Sequence, residues 1–309
     1  MARESIPQPQ ANVYNKEDNN EAMRDFMPYK PKVGHIDFLN VLPLAYGYAH
    51  AGAPHEREDA FDLVRGVPAE LNADIAAGRL DISNVSSILY ARHAEKLVVL
   101  PHLCVSSNGP VESILLISKK PIDEIEDDPI ALTAKSWTSH ALLKIILQSG
   151  YGATPRYSVQ HLTPDHPIPD DQTAALFIGD DALYLYWHAS PQLYAYDLGA
   201  EWKKLTGKRM VYALWVATRA FAEREPLLLK KAAARIEASF AYGLAHKDAA
   251  IRSVLGEKPF LYHELDEYLG NIIRWDLTDD YLNGLRMFYI YAAKNKLIDK
   301  VPDIVFANV

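Results

Sequence analysis

The chain has 309 residues, enough for one large or two medium domains, and its 49% hydrophobic and 23% charged residues are those of a globular protein with a sizeable core. A formal net charge of −8 argues against general nucleic-acid binding, and an anionic ligand would have to be held by local donors. The single cysteine, Cys104, excludes an intrachain disulfide and a multi-cysteine metal site, and its apolar surroundings predict a buried structural thiol.

No apolar run approaches the ~20 residues of a membrane span. The first thirty residues are polar and lack a signal-peptide core, so a cytoplasmic protein without membrane association is expected. Residues 1–30, rich in Asn, Glu, Gln and Pro, predict a disordered or loosely docked tail.

From residue 31 onward strand and helix signals alternate, which is the α/β pattern. A first strand over 32–38 breaks at Leu39-Asn40, and Pro43 marks a helix entry. Asn40 thus falls at the carboxyl end of a strand and just before a helix, where open α/β sheets bind ligands. Its amide can both donate and accept hydrogen bonds; closing the turn is the competing role. A helix over 68–77 is closed by Gly78, a strand covers 80–85, and Ser86-Ser87 opens a helix through Tyr90 and His93. Residues 96–118 are β-rich but broken at Ser106-Ser107-Asn108-Gly109-Pro110, a polar kink that reads as a turn or as a cleft-lining loop.

A strand over 130–133 leads into Ser136-Trp137-Thr138-Ser139 and an apolar helix through Leu147. A strand over 174–178 leads into Gly179-Asp180-Asp181 and another helix. The hydroxyls and free N–H groups at such strand-to-helix junctions suit a carboxylate or phosphate, beside the plain role of capping. An acid there suits an anion poorly, so a structural or hydroxyl-binding role is expected of Asp180. A long apolar strand follows over 210–217, then helices over 227–246, 262–275 and 279–295. The two long strands bracketing the middle of the chain predict a discontinuous lobe (31–118 plus 214–309) and an inserted lobe (119–213), with the ligand in the cleft between them.

The eleven histidines are scattered, and no metalloprotease helix, Walker loop or dinucleotide fingerprint is present. His35 is expected as a strand residue that could also reach the cleft. Arg and Lys form no cluster near a strand end, so no phosphate clamp is expected.

Taken together, these stretches resemble the chorismate dehydratase family of the futalosine route to menaquinone. The resemblance rests on Gly34-His35-Ile36-Asp37-Phe38-Leu39-Asn40, on Gly78-Arg79-Leu80-Asp81-Ile82-Ser83-Asn84-Val85-Ser86-Ser87, on Leu100-Pro101 through Gly109-Pro110, on Ser136-Trp137-Thr138-Ser139, on Ile178-Gly179-Asp180, and on Asp197-Leu198-Gly199 with Ala213-Leu214-Trp215. It covers roughly 32–220 in the family's order; the terminal helices match in kind only. It implies a type II periplasmic-binding-protein-like fold of two α/β lobes. It also implies a hydro-lyase that converts chorismate to 3-[(1-carboxyvinyl)oxy]benzoate and water, with no metal or organic cofactor.

By this resemblance Asn40 and Ser107 are the catalytic candidates. Ser86, Ser87, Ser106, Gly109, Thr138, Ser139, Gly179 and Asp180 are the substrate-binding ones. Neither catalytic candidate is a strong base, which is consistent with the substrate's own enolpyruvyl carboxylate taking the proton. The alternatives are an enzyme like the 1,4-dihydroxy-6-naphthoate synthase of the same fold, disfavoured because its Ser-Pro-Cys-Pro-Asn-type opening is absent, and a non-catalytic binder of a small carboxylate. Oligomeric state is not legible in the sequence.

Overall fold

The chain enters the fold through β1 (Lys32–Ile36), buried at every position after Lys32. In the computed structural model, which describes residues 29–52 and 60–309, residues 31–309 form one compact unit. The tail expected over 1–30 lies outside the described residues except for Tyr29 and Lys30.

β1 pairs in parallel with β2 (Asp62–Gly66) and β3 (Ile82–Ser86). β3 is buried at all five positions, as in a strand covered on both faces. The chain runs through β4 (Leu97–Ser107) and then leaves this sheet. β5 (Ile114–Ser118), β6 (Pro129–Thr133), β7 (Arg156–Gln160), β8 (Ala174–Ile178) and β9 (Tyr194–Asp197) form a second sheet in the order β7-β6-β8-β5-β9. β10 (Met210–Thr218) returns to the first sheet, antiparallel to both β3 and β4. β11 (Arg274–Asp276) completes the order β11-β4-β10-β3-β1-β2. These are the two α/β lobes of a periplasmic-binding-protein-like fold.

The crossings between sheets fall at residues 108–113 and at the turn before Met210, whereas the expected limit at 118 falls after β5 and the one at 213 inside β10. The polar kink after Ser107 is where β4 ends, and Gly207 at φ 70° turns the chain back before β10. β2, β7, β9 and β11 were not foreseen. They are edge strands, only partly buried, so they lack the continuous apolar run that marks a central strand. The helix expected over 262–275 stops sooner. It covers Tyr262–Glu267, widens into a π-helical turn at Tyr268–Ile272, and gives way to β11, so Trp275 lies on a strand.

Helix Leu42–His50, entered through Pro43, lies against helix Pro226–Ala245 by a reciprocal glycine contact. A Cβ built on Gly47 would overlap the Ser239 carbonyl, and one on Gly243 would overlap the Pro43 carbonyl. The two backbones touch, and this fixes the start of the helix that follows Asn40. Among the described residues no helix is long and apolar enough to cross a membrane.

Candidate active site

A cavity between the lobes is lined from the first lobe by Asn40, Pro68, Asn84, Ser86 and Tyr212, and from the second by Ser136, Thr138, Ser139 and Gly179. Ile36, Phe38, Val105, Ile114, Ile178 and Ala213 supply its apolar wall. No Asp, Glu, His, Lys or Arg is among these lining residues. A larger cavity of about 580 Å³ lies elsewhere, between Arg92, Glu95 and the chain end around Lys300 and Asp303. It receives none of the strand-to-helix junctions, so the chemistry is assigned to the smaller space between the lobes.

Asn40 sits in the tight turn Leu39–Val41. The backbone there is fixed from three sides. Trp275 Nε1 donates to the Asn40 carbonyl (2.8 Å), Leu39 N–H donates to Asp180 (2.9 Å), and Val41 N–H donates to the Phe38 carbonyl (3.1 Å). Among the described residues its side-chain amide makes no hydrogen bond, and Asn40 lines the cavity. Turn closing is done by the backbone, which leaves the amide for a ligand.

Three hydroxyls on the cavity wall share one arrangement. Asn72 Nδ2 donates to Ser86 Oγ (2.9 Å) while Asn72 Oδ1 accepts from Ser86 N–H (3.1 Å), with both residues buried. Ser136 Oγ donates to Ser139 Oγ (3.0 Å) and accepts from Ser139 N–H (3.2 Å). Ile88 N–H, from the first lobe, donates to Thr138 Oγ1 (3.2 Å), from the second. Each of Ser86, Thr138 and Ser139 therefore accepts a hydrogen bond from the protein and keeps its own hydrogen to donate. Thr138 and Gly179 also start helices Thr138–Ile145 and Gly179–His188, whose positive ends meet the same space. Gly179 has φ +63°, and a Cβ there would press to 3.0 Å on the Phe38 ring, so glycine is required twice over.

Other candidates lie behind the wall. Ser107 is fully buried; its hydroxyl donates to the Gly109 carbonyl (2.8 Å) and lies 2.9 Å from Tyr212 Oη, so it reaches the cavity only through Tyr212. Gly109, at φ +109°, offers that carbonyl inward. Ser87 Oγ is spent on the Val211 carbonyl (2.8 Å), and Ser106 Oγ on the Arg274 carbonyl (3.0 Å). In both cases a sheet neighbour offers an acceptor closer than the cleft. Asp180 turns away from the cavity. It accepts from Leu39 N–H on one oxygen and from Lys258 Nζ on the other (2.7 Å), binding the second lobe to the Asn40 turn.

His35 is buried, and burial pushes its pKa down to about 4, so it is neutral at pH 7 and packs edge-on against Tyr48 away from the cavity. Burial raises the Tyr212 phenol well above its usual range, so it stays protonated. Cys104 is buried and its thiol is pushed up to about 12 by burial, as befits a structural residue. Among the described residues no group of His, Cys, Asp or Glu could hold a metal ion.

The sequence reading missed Tyr212, Ser136 as a lining residue, Asn72 and Asn84. Tyr212 and Asn84 lie on strands read as plain sheet, and only their alternation with inward apolar neighbours would have pointed them out. Asn72 lies mid-helix, where Asn is neither favoured nor common, and that is a weak signal.

Fold and cavity together define a two-lobed protein of the periplasmic-binding-protein-like class, with a cleft of neutral hydrogen-bonding groups. A family model described as menaquinone biosynthesis matches residues 31–294, reaching past the segments that carried the resemblance and into the terminal helices. A chorismate dehydratase of Thermus thermophilus is 31% identical over 257 residues, covering 78% of this chain and 91% of that one. A chorismate dehydratase of Campylobacter jejuni is 29% identical over 197 residues, covering 64% and 72%. Among solved structures, a protein of Archaeoglobus fulgidus superposes with a TM-score of 0.69 at 15% identity, covering 87% and 98%. The periplasmic aliphatic sulphonate binding protein of Escherichia coli superposes with 0.62 at 14%, covering 90% and 91%; both likenesses show the fold alone. The chain belongs to the chorismate dehydratase family of menaquinone biosynthesis, and it is therefore an enzyme.

Proposed function

We propose that this protein is a hydro-lyase that converts chorismate to 3-[(1-carboxyvinyl)oxy]benzoate and water. The observation that carries the reading is the set of hydroxyls at Ser86, Thr138 and Ser139, each held by a protein donor and each with a hydrogen left for the cavity. The substrate carries two carboxylates. Removal of the proton at C3 gives an anion delocalised onto the ring carboxylate, and loss of the C4 hydroxyl then makes an aromatic ring. Fixed neutral donors stabilise that developing charge without reorganising, and the lobes hold the reacting groups in register.

A cavity without a charged side chain supports a reaction in which the enolpyruvyl carboxylate of the substrate takes the proton. Asn40 is the proposed catalytic amide, touching the substrate from the fixed turn. Ser107 is proposed as a positioning residue acting through Tyr212. Asp180 is proposed to set the Asn40 turn. The two sheets are proposed to head lobes that close on the substrate, in the cytoplasm, with no metal or organic cofactor.

The test is chromatography with mass detection after purified protein is incubated with chorismate and no added cofactor. A product lighter by one water supports the reading, and unchanged chorismate with folded protein rejects it.

A further inference from the structure

We propose that the side-chain amide of Asn84 is the group that grips the departing hydroxyl of the substrate. The inference rests on the dehydratase reading above, which it deepens.

Asn84 is the central residue of β3, in the middle of the six-stranded sheet, opposite Trp215 of β10. It is 2% exposed, lines the cavity, and neither Nδ2 nor Oδ1 has a hydrogen-bond partner among the described residues. A buried amide with both ends unpaired has given up its hydrogen bonds to water and gained none in return, so a sheet interior keeps one only for a reason. Neighbouring polar groups show what ordinary satisfaction looks like here. Asn72, equally buried, spends both ends on Ser86, two residues along β3 on the same face as Asn84.

The chemistry of the vacant amide selects its partner. Carboxylates only accept, and the cavity already offers them the hydroxyls of Ser86, Thr138 and Ser139. An ether oxygen likewise only accepts. A group that satisfies both ends of an amide must donate and accept at once. In the substrate that description fits the C4 hydroxyl alone. Nδ2–H would donate to its oxygen and Oδ1 would accept its hydrogen. Asn40 is a poorer choice for this task, because it is less deeply buried than Asn84.

The step balances without any further reactant. The proton at C3 passes to the enolpyruvyl carboxylate, and the electron pair left behind becomes the C3–C4 π bond. The C4–O bond breaks with its pair on oxygen. That oxygen, held by Nδ2–H as charge gathers on it, takes up the proton removed from C3 and leaves as water. The amide neither gains nor loses a proton, so it needs no perturbed pKa.

The test compares Asn84→Leu with the unaltered full-length protein in three measurements: kcat on chorismate, the dissociation constant of the aromatic product, and the unfolding midpoint. The product has lost the hydroxyl and keeps both carboxylates. The proposal expects kcat to fall about 100-fold, product affinity to stay within about threefold, and the unfolding midpoint to hold or rise. A kcat close to that of the unaltered protein overturns the proposal. So does a parallel loss of product affinity, which would place the amide on a carboxylate or ring. Should Asn84→Leu fail to fold, Asn84→Ala is read by the same criteria. Unchanged chorismate with the unaltered protein rejects the dehydratase reading itself, and this inference with it; turnover by the unaltered protein with an indifferent Asn84 variant rejects this inference alone.

Discussion

The hydroxyls of Ser107 and Tyr212 lie 2.9 Å apart, and only the tyrosine lines the cavity. Ser107 donates its one hydrogen to the Gly109 carbonyl, so the phenol is left to donate to Ser107. That pins the ring in place as part of the cavity wall. If Ser107 acts through Tyr212, the two are not independent. Tyr212→Phe and Ser107→Ala are each expected to lower kcat about tenfold or more, and the double variant should be little worse than the poorer single one. A kinetic double-mutant cycle measures this; additive losses would mean Ser107 meets the substrate on its own.

Asp180 supplies a second dependence of the same kind. It accepts from the backbone of Leu39, the residue before Asn40, and from Lys258. Asp180→Ala leaves that buried N–H unmet and the turn untethered, at about 1–3 kcal/mol. Asp180→Asn keeps an acceptor for Leu39 and gives up only the ion pair, whose lysine is partly exposed. Steady-state kinetics should show a large loss of kcat/KM for Asp180→Ala and a small one for Asp180→Asn. Equal losses would make the lysine contact the important one.

How far the site was legible follows from which residues announce themselves locally. Asn40, Ser86, Thr138, Ser139 and Gly179 stand at strand-to-helix junctions, and the physics of a helix start marks such positions without tertiary information. They are the ones that reach the cavity. Ser87 shares the junction of Ser86, and Ser106 stands at the polar kink that ends β4, yet each bonds a sheet carbonyl instead of facing the cavity. The choice depends on strand register, which local pattern does not give. Asn72, Asn84 and Tyr212 are visible only once β3 and β10 are paired. The fold was legible for the same reason that its edge strands were not: buried central strands write continuous apolar runs, and β2, β7, β9 and β11 do not.

Glu112 predicts a pH dependence of stability. It sits in the crossing between the lobes at φ +58°, is buried, and one carboxylate oxygen has no partner among the described residues. Burial, together with the nearby charge of Asp197, pushes its pKa up to about 7. The folded state thus keeps a proton that the unfolded chain releases near pH 4.3. Stability falls as pH rises from that value through about 7, and the loss is complete above it. Glu112→Gln removes the penalty. It should unfold at higher denaturant than the unaltered protein at pH 8, with the difference vanishing at pH 4. A difference that does not change with pH would show that the carboxyl titrates normally.

Gly47 is expected to be the least replaceable residue of the stretch that opens the fold. Its Cα faces the Ser239 carbonyl of helix Pro226–Ala245, while Gly243 on that helix faces the Pro43 carbonyl in return. An added methyl has no flexible neighbour to push aside, since both obstacles are backbone. Gly47→Ala must separate the two helices, and overpacking of this kind costs about 1–3 kcal/mol or more. The gain in helix propensity from glycine to alanine, about 1 kcal/mol, runs the other way and is smaller. Chemical denaturation should therefore show a net loss of stability. Because helix Leu42–His50 begins directly after the Asn40 turn, turnover measured well below the transition should fall as well. A variant with lower stability but full turnover would mean that the turn is set by Trp275 and Asp180 alone.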